Sequence, residues 1–204
     1  MTTLYLPTLS RGNATECNFA LQPNTQTFES PLNKTAQTYE LPGAKWLFTA
    51  TWANLSEADA RIFKAWLAQL RGQAGRFYAG DLSHKTPSGC ASGGVKAHAI
   101  AAAGATTLST EWTLTSTSNV LLPGDYIQIG TEIKIITTAA STNGSALAIL
   151  TFEPPLRTAV AINDAVTYST PLAIFRLNDD KQDNFNFDPE RRPSITLSAT
   201  EVFS

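Results

Sequence analysis

The chain is 204 residues long and 43% hydrophobic, enough apolar content to bury a core, so disorder throughout is set aside. A formal net charge of −2 leaves no polybasic footprint and points to neither nucleic acid nor an anionic membrane as a partner. Charged residues make up only 16%; with many Thr, Ser, Ala and Asn, that sparseness fits strands covered by neighbouring subunits, or an extracellular β domain.

The amino terminus, Met1-Thr-Thr-Leu-Tyr-Leu-Pro7, lacks a basic segment leading into an apolar core, so no signal peptide is expected. No apolar run is long enough to cross a bilayer as a helix. Cys17 and Cys90 cannot be paired from sequence, and a reducing cytoplasm favours two free thiols. Residues 1–50 read as short strands between turns, with breaks at Pro23, Pro31 and Pro42-Gly43. In Lys45-Trp-Leu-Phe-Thr-Ala-Thr-Trp-Ala53 the side chains alternate, which predicts a half-buried strand with Trp46, Phe48, Ala50 and Trp52 on its core face.

That strand feeds the clearest element of the chain, an amphipathic helix over about 56–71. Ser56 and Asp59 resemble a capping box at its start. Leu55, Ile62, Phe63, Trp66, Leu67 and Leu70 recur at the spacing of one apolar stripe, with Glu57, Lys64, Gln69 and Arg71 facing away. Gly72 and Gly75 are expected to end the helix at positions of positive φ, and Arg76-Phe77-Tyr78 to open another strand.

From Asp81 a long polar, glycine-rich passage reads as a crossing between substructures. Beyond it come seven short β-like runs: Val95–Ile100, Thr106–Leu108, Trp112–Leu114, Tyr126–Ile129, Ile133–Thr137, Ala146–Phe152 and Ala165–Tyr168. Leu172–Leu177 and the alternating Pro193–Phe203, with Ile195, Leu197, Ala199 and Val202 as its apolar set, resemble the opening strands. The expected organisation is therefore a first β domain of residues 1–81 and 171–204, with an all-β module of residues 82–170 inserted in one of its loops.

Chemistry is sparse. His84, near Asp81, Ser88 and Cys90, matches no metal or nucleophile spacing, and His98, in an apolar run, reads as a packed strand residue. Asp179, Asp180, Asp183, Asp188 and Glu190 lack the glycine and spacing of a calcium loop, and with Lys181, Arg191 and Arg192 among them they read as a solvated loop. No catalytic residue, metal ligand or cofactor site is assigned. Two motifs, Pro123-Gly-Asp-Tyr-Ile-Gln-Ile-Gly130 and Glu153-Pro-Pro-Leu-Arg157, read first as structural punctuation, a capped turn and a stiff extended segment. Arg157, Leu156 and Asp125 within them are the candidate partner-facing residues.

The strand–helix–strand ending in Trp66…Gly75-Arg-Phe-Tyr78, the crossing Thr86-Pro-Ser-Gly89, the Pro-Gly-Asp-Tyr-Ile-Gln-Ile-Gly turn and Pro154-Pro-Leu-Arg157 together resemble the distal tail proteins of long-tailed bacteriophages. The resemblance covers about residues 45–177 and is one of overall pattern and order. It implies a mainly β chain with one flanking helix: a tail-tube-like β-sandwich domain with a small inserted β-barrel or sandwich. It further implies a hexameric ring in the virion, joining the tail tube protein to the hub or receptor-binding proteins while DNA passes through the lumen without specific binding. A carbohydrate- or receptor-binding β module is the alternative; an enzyme such as a peptidoglycan hydrolase would need a convergent acid pair or metal site.

Overall fold

The computed structural model describes residues 3–10, 14–182, 185–187 and 192–203. In chain order its elements are β1 (Leu4–Tyr5), β2 (Glu16–Gln22), β3 (Thr25–Glu29), β4 (Ala36–Glu40), β5 (Lys45–Trp52), α1 (Glu57–Leu70), β6 (Phe77–Ala79), β7 (Val95–Ala97), β8 (Thr107–Trp112), β9 (Tyr126–Ile129), β10 (Glu132–Ile136), β11 (Leu147–Glu153), β12 (Val166–Thr167), β13 (Ala173–Leu177), β14 (Asn186–Phe187) and β15 (Pro193–Glu201). The protein is mainly β, with one α-helix among the described residues.

One sheet runs β1-β6-β13-β15-β5-β2, with β14 added on β15, and so draws on both ends of the chain. The other runs β12-β9-β10-β11-β8-β7 and takes all its strands from the stretch between. A bridge between Lys96 and Ala165 brings its two ends together and nearly closes it into a barrel. Gly80 and Pro171 stand side by side where the chain leaves the first sheet and returns. A Cβ on Gly80 would lie 2.1 Å from the Pro171 carbonyl oxygen, so only glycine lets the two segments pass. Gly80→Ala is expected to lower stability by about 1–3 kcal/mol; unchanged urea melts would show that the segments are not in contact.

The alternating β5 places Trp46, Phe48, Ala50 and Trp52 inward, and its neighbour β15 adds Ile195, Leu197 and Ala199 to the same core. α1 covers one end of this face: Phe63 meets Trp52 edge-on with ring centroids 4.9 Å apart, and Trp66 meets Phe77 at 5.3 Å. The Trp66 indole N–H donates to the Tyr5 carbonyl at 2.7 Å, fastening the amino-terminal segment. Ser56 caps the helix by accepting from the Asp59 N–H at 3.1 Å. The Asp59 carboxylate in turn accepts from the Ser10 backbone N–H and hydroxyl at 2.9 and 2.6 Å. Ile62, expected in the apolar stripe, is 46% exposed: the stripe centres on Phe63, Trp66 and Leu70, which puts position 62 on its flank. The helix ends with Arg71 and Gly72 at positive φ, 55° and 65°, whereas Gly75 has φ −73°. Glycine suits position 75 because a Cβ there would lie 2.2 Å from the Leu70 carbonyl oxygen.

The other end of the same face is covered by the second sheet. Ile133 of β10 is buried in the first core, and Tyr126 of β9 meets Phe19 and Trp46 edge-on at 5.5 and 5.6 Å. The second sheet has its own core of Leu108, Ile127, Ile136, Leu150 and Phe152. It contains six strands, not seven, because Thr106–Leu108 and Trp112–Leu114 fall on one strand, β8. The polar Ser109-Thr-Glu111 between them does not break it: Thr110 points inward and its hydroxyl donates to the Ala148 carbonyl at 3.0 Å. His98 is not a packed strand residue. It lies past the end of β7, about half exposed, with Nδ1 3.8 Å from the Glu111 carboxylate.

β3 and β4 form a separate two-stranded arm, and every residue of both strands is exposed. The arm prolongs the β2–β5 ribbon past the sheet, held at its base by the Leu41 N–H on the Asn24 carbonyl at 2.7 Å.

Candidate functional site

All three candidate partner-facing residues are turned inward. Asp125 follows the turn that Gly124 makes possible at φ 96° and is 4% exposed. Its carboxylate accepts the backbone N–H groups of Leu122 and Ser88, at 2.8 and 2.7 Å, pinning the polar crossing to the turn. Leu156 is buried in the second core. Neither offers a side chain to a partner, because each is already spent on holding the chain together. Arg157 is also directed inward, but into an arrangement the linear order of residues did not suggest.

Where the two sheets meet, β10 directs Glu132 and Lys134 to one face, opposite Ile133. Lys134 Nζ lies 2.7 Å from Glu132 Oε2 and donates to the Pro155 carbonyl at 2.8 Å, with no exposed side-chain surface. Glu132 also accepts the backbone N–H groups of Arg157 and Thr158 and the Thr158 hydroxyl, at 3.1, 3.2 and 2.9 Å. The Arg157 guanidinium pairs with Glu201 at the end of β15 and lies 4.0 Å from the Phe203 ring centroid. Glu201 accepts the Trp46 backbone N–H at 3.0 Å, and the Trp46 indole N–H donates to the Ile133 carbonyl at 2.9 Å. Two carboxylates and two cations thus form a neutral chain that joins the sheets.

Burial pushes the Glu132 carboxyl up, but the Lys134 ammonium and the hydrogen bonds outweigh it and hold it below its ordinary value. Burial pushes the Lys134 ammonium down, only partly opposed by Glu132. A carboxyl depressed in the folded state contributes stability that is fully present above the unfolded value of 4.5 and is lost as pH falls through the lower folded value. Glu132→Gln is therefore expected to flatten the acid limb of stability against pH in urea melts; an unchanged limb would show that Glu132 does not titrate with folding.

Beside this chain of charges opens a largely apolar cleft of about 640 Å³, lined by Leu41, Pro42, Ala103, Pro155, Leu156 and Phe203, with Arg157 and Glu40 contributing charge. Glu40 belongs to the base of the arm, and burial followed by its negative charge raises the Glu153 carboxyl.

A second cleft brings Cys17 and Phe19 of β2 together with Asp81, His84 and Tyr126. His84 Nδ1 lies 2.9 Å from Asp81 Oδ2. The cysteine was not foreseen there, since 64 residues separate it from Asp81. Burial raises the Cys17 thiol, against a backbone hydrogen bond at Leu82 that lowers it and with the nearby Asp81 charge on the raising side, which keeps it protonated and a poor nucleophile. Burial raises the Tyr126 phenol as well. Ser88 and Cys90 lie elsewhere: the Ser88 N–H is held by Asp125, and the Cys90 thiol donates to the Ser118 carbonyl at 3.1 Å. Both cysteines are free thiols.

Among the described residues no three His, Cys, Asp or Glu side chains are grouped to hold a metal ion. Of the carboxyl-terminal acidic residues, Asp180 accepts the Gln73 N–H at 2.7 Å and Asp179 the Lys181 N–H at 3.1 Å; Asp183, Asp188, Glu190 and Arg191 lie outside the described residues. No described helix is long and apolar enough to cross a membrane. No protein-family model matches the sequence, and no curated protein matches it significantly.

Proposed function

We propose that this chain is a structural protein of the tail tip of a long-tailed bacteriophage, which closes into a six-fold ring between the tail tube and the hub or receptor-binding proteins. The observation that carries the reading is a fold left open at two places. β2 ends the first sheet with a seven-residue outer edge that no described strand pairs, and its sequence Glu-Cys-Asn-Phe-Ala-Leu-Gln holds neither the proline nor the lysine that blunts free edges. The all-exposed arm is the second. A two-stranded ribbon is marginal by itself and needs a surface to lie on. Head-to-tail contacts repeated around an axis supply both needs and close into a ring.

In this reading the buried chain of charges is structural rather than catalytic: it fixes the angle between a ring-forming sheet and the second sheet, which faces other tail proteins. The net charge of −2 suits a lumen through which DNA passes without phosphate contacts. The alternative, a carbohydrate-binding module, needs exposed aromatic rings on the second sheet. There Trp112 is buried, and the large exposed apolar side chains are Ile100, Ile149 and Ile162, which give a sugar no ring to stack on.

Gold-labelled antibody against the chain tests the assignment. Label confined to the distal end of the tail is the expected result; label along the whole tail, on the capsid or on no particle would overturn it.

A further inference from the structure

The arm has two unlike faces. In its register Gln26 stands opposite Tyr39 and Phe28 opposite Gln37, so Phe28 and Tyr39 lie diagonally on one face with two amides and no charge. Thr25, Thr27, Glu29, Ala36, Thr38 and Glu40 form the other face. Phe28 is 60% and Tyr39 63% exposed, so neither ring fills the apolar cleft that opens beside the base of its own arm.

We infer that the aromatic face of the arm docks into the 640 Å³ cleft of a second copy of this chain, with Phe28 and Tyr39 entering between Pro42, Ala103, Pro155 and Phe203. The inference rests on the proposed ring and names the surface that joins its subunits. Three observations favour a copy of this chain as the occupant. The two surfaces match in polarity: the aromatic face carries two amides and no charge, and in the largely apolar cleft the Arg157 charge is neutralised by Glu201, leaving the exposed Glu40 carboxylate for the arm's amides to meet. Both halves of the contact are carried by the same chain at different places, the condition for a head-to-tail contact that repeats. The reach is sufficient: five residues per strand extend the arm about 17 Å past the sheet. The aromatic face of that ribbon supplies part of the roughly 800 Å² per partner that a stable interface buries.

Disulfide trapping between two full-length preparations tests this, both carrying Cys90→Ser to remove the exposed thiol. One carries Phe28→Cys on the arm and the other Ala103→Cys at the cleft rim. On mixing and mild oxidation at concentrations where the protein self-associates, and in assembled tails, the expected product is a dimer linking one copy of each. It should be absent from either preparation alone. Arm-to-arm dimers, no mixed product, or a crosslink to a different tail protein would each overturn the inference. In a second arm of the experiment, Ala103→Trp fills the cleft from an exposed position that folding does not depend on, and it should abolish self-association as Phe28→Ser does; assembly that survives Ala103→Trp sinks the cleft as the seat. A six-fold ring without the mixed disulfide leaves the ring standing and removes this contact. The mixed disulfide in an assembly of other symmetry does the reverse.

Discussion

Truncation of Trp66 to alanine is expected to cost about 3–5 kcal/mol of unfolding free energy, the range for deleting a buried aromatic side chain. Trp66 is almost wholly buried, touches the rings of Phe63 and Phe77 edge-on, and donates its indole N–H to the Tyr5 carbonyl. The substitution removes ring packing from the centre of the helix stripe and leaves the carbonyl that fastens β1 without its donor. Gln69→Ala, on the exposed side of the same helix, is expected to shift stability by less than about 0.5 kcal/mol. Chemical denaturation of both variants decides the matter, and equal effects would show that α1 does not pack by this face.

Glu132→Ala is expected to be as damaging, at about 3–5 kcal/mol, because it strands the buried Lys134 ammonium without its ion-pair partner and with the Pro155 carbonyl as its remaining hydrogen-bond acceptor. The cost belongs to the unpaired charge and to the Arg157 and Thr158 donors that lose their acceptor, not to the worth of the ion pair itself. Removing both charges, with Glu132→Ala and Lys134→Met together, should therefore recover the part of the loss that belongs to the stranded ammonium, while the Arg157 and Thr158 donors stay without their acceptor. A double-mutant cycle measured by urea denaturation reads this directly. Losses that simply add would mean that the two groups do not form one buried unit.

What the sequence made legible follows from what periodicity can report. Alternation in β5 and the three-and-four spacing in α1 each name a buried face, and Trp46, Phe48, Trp52, Phe63 and Trp66 all lie where that logic puts them. The serine cap was legible for the same reason, since it is a local bond. Periodicity does not say what covers a face. Glu201 takes the inward position that follows Ile195, Leu197 and Ala199 and is 2% exposed, yet its carboxylate is tolerable only because Arg157 and the Trp46 N–H reach it from distant parts of the chain. In the same way Glu132 and Lys134 read as the polar side of an ordinary strand. Their partners come from the Pro154-Pro155-Leu156-Arg157 segment, which the sequence marked as a stiff extended stretch with candidate partner-facing residues, without showing what it packs against. The arm escaped notice because a Thr- and Gln-rich strand has the same pattern on a sheet as off one.

The central claim, a closed ring at the tail tip, is tested most directly by electron cryomicroscopy of intact tails, at a resolution that counts subunits and traces the channel wall. Tails are the appropriate sample because ring closure can require the tube or hub beneath it. The account predicts this chain in six copies around a lumen wide enough for DNA, lined by neutral or acidic side chains. Three-fold or absent symmetry, or a channel lined with lysine and arginine, would contradict it.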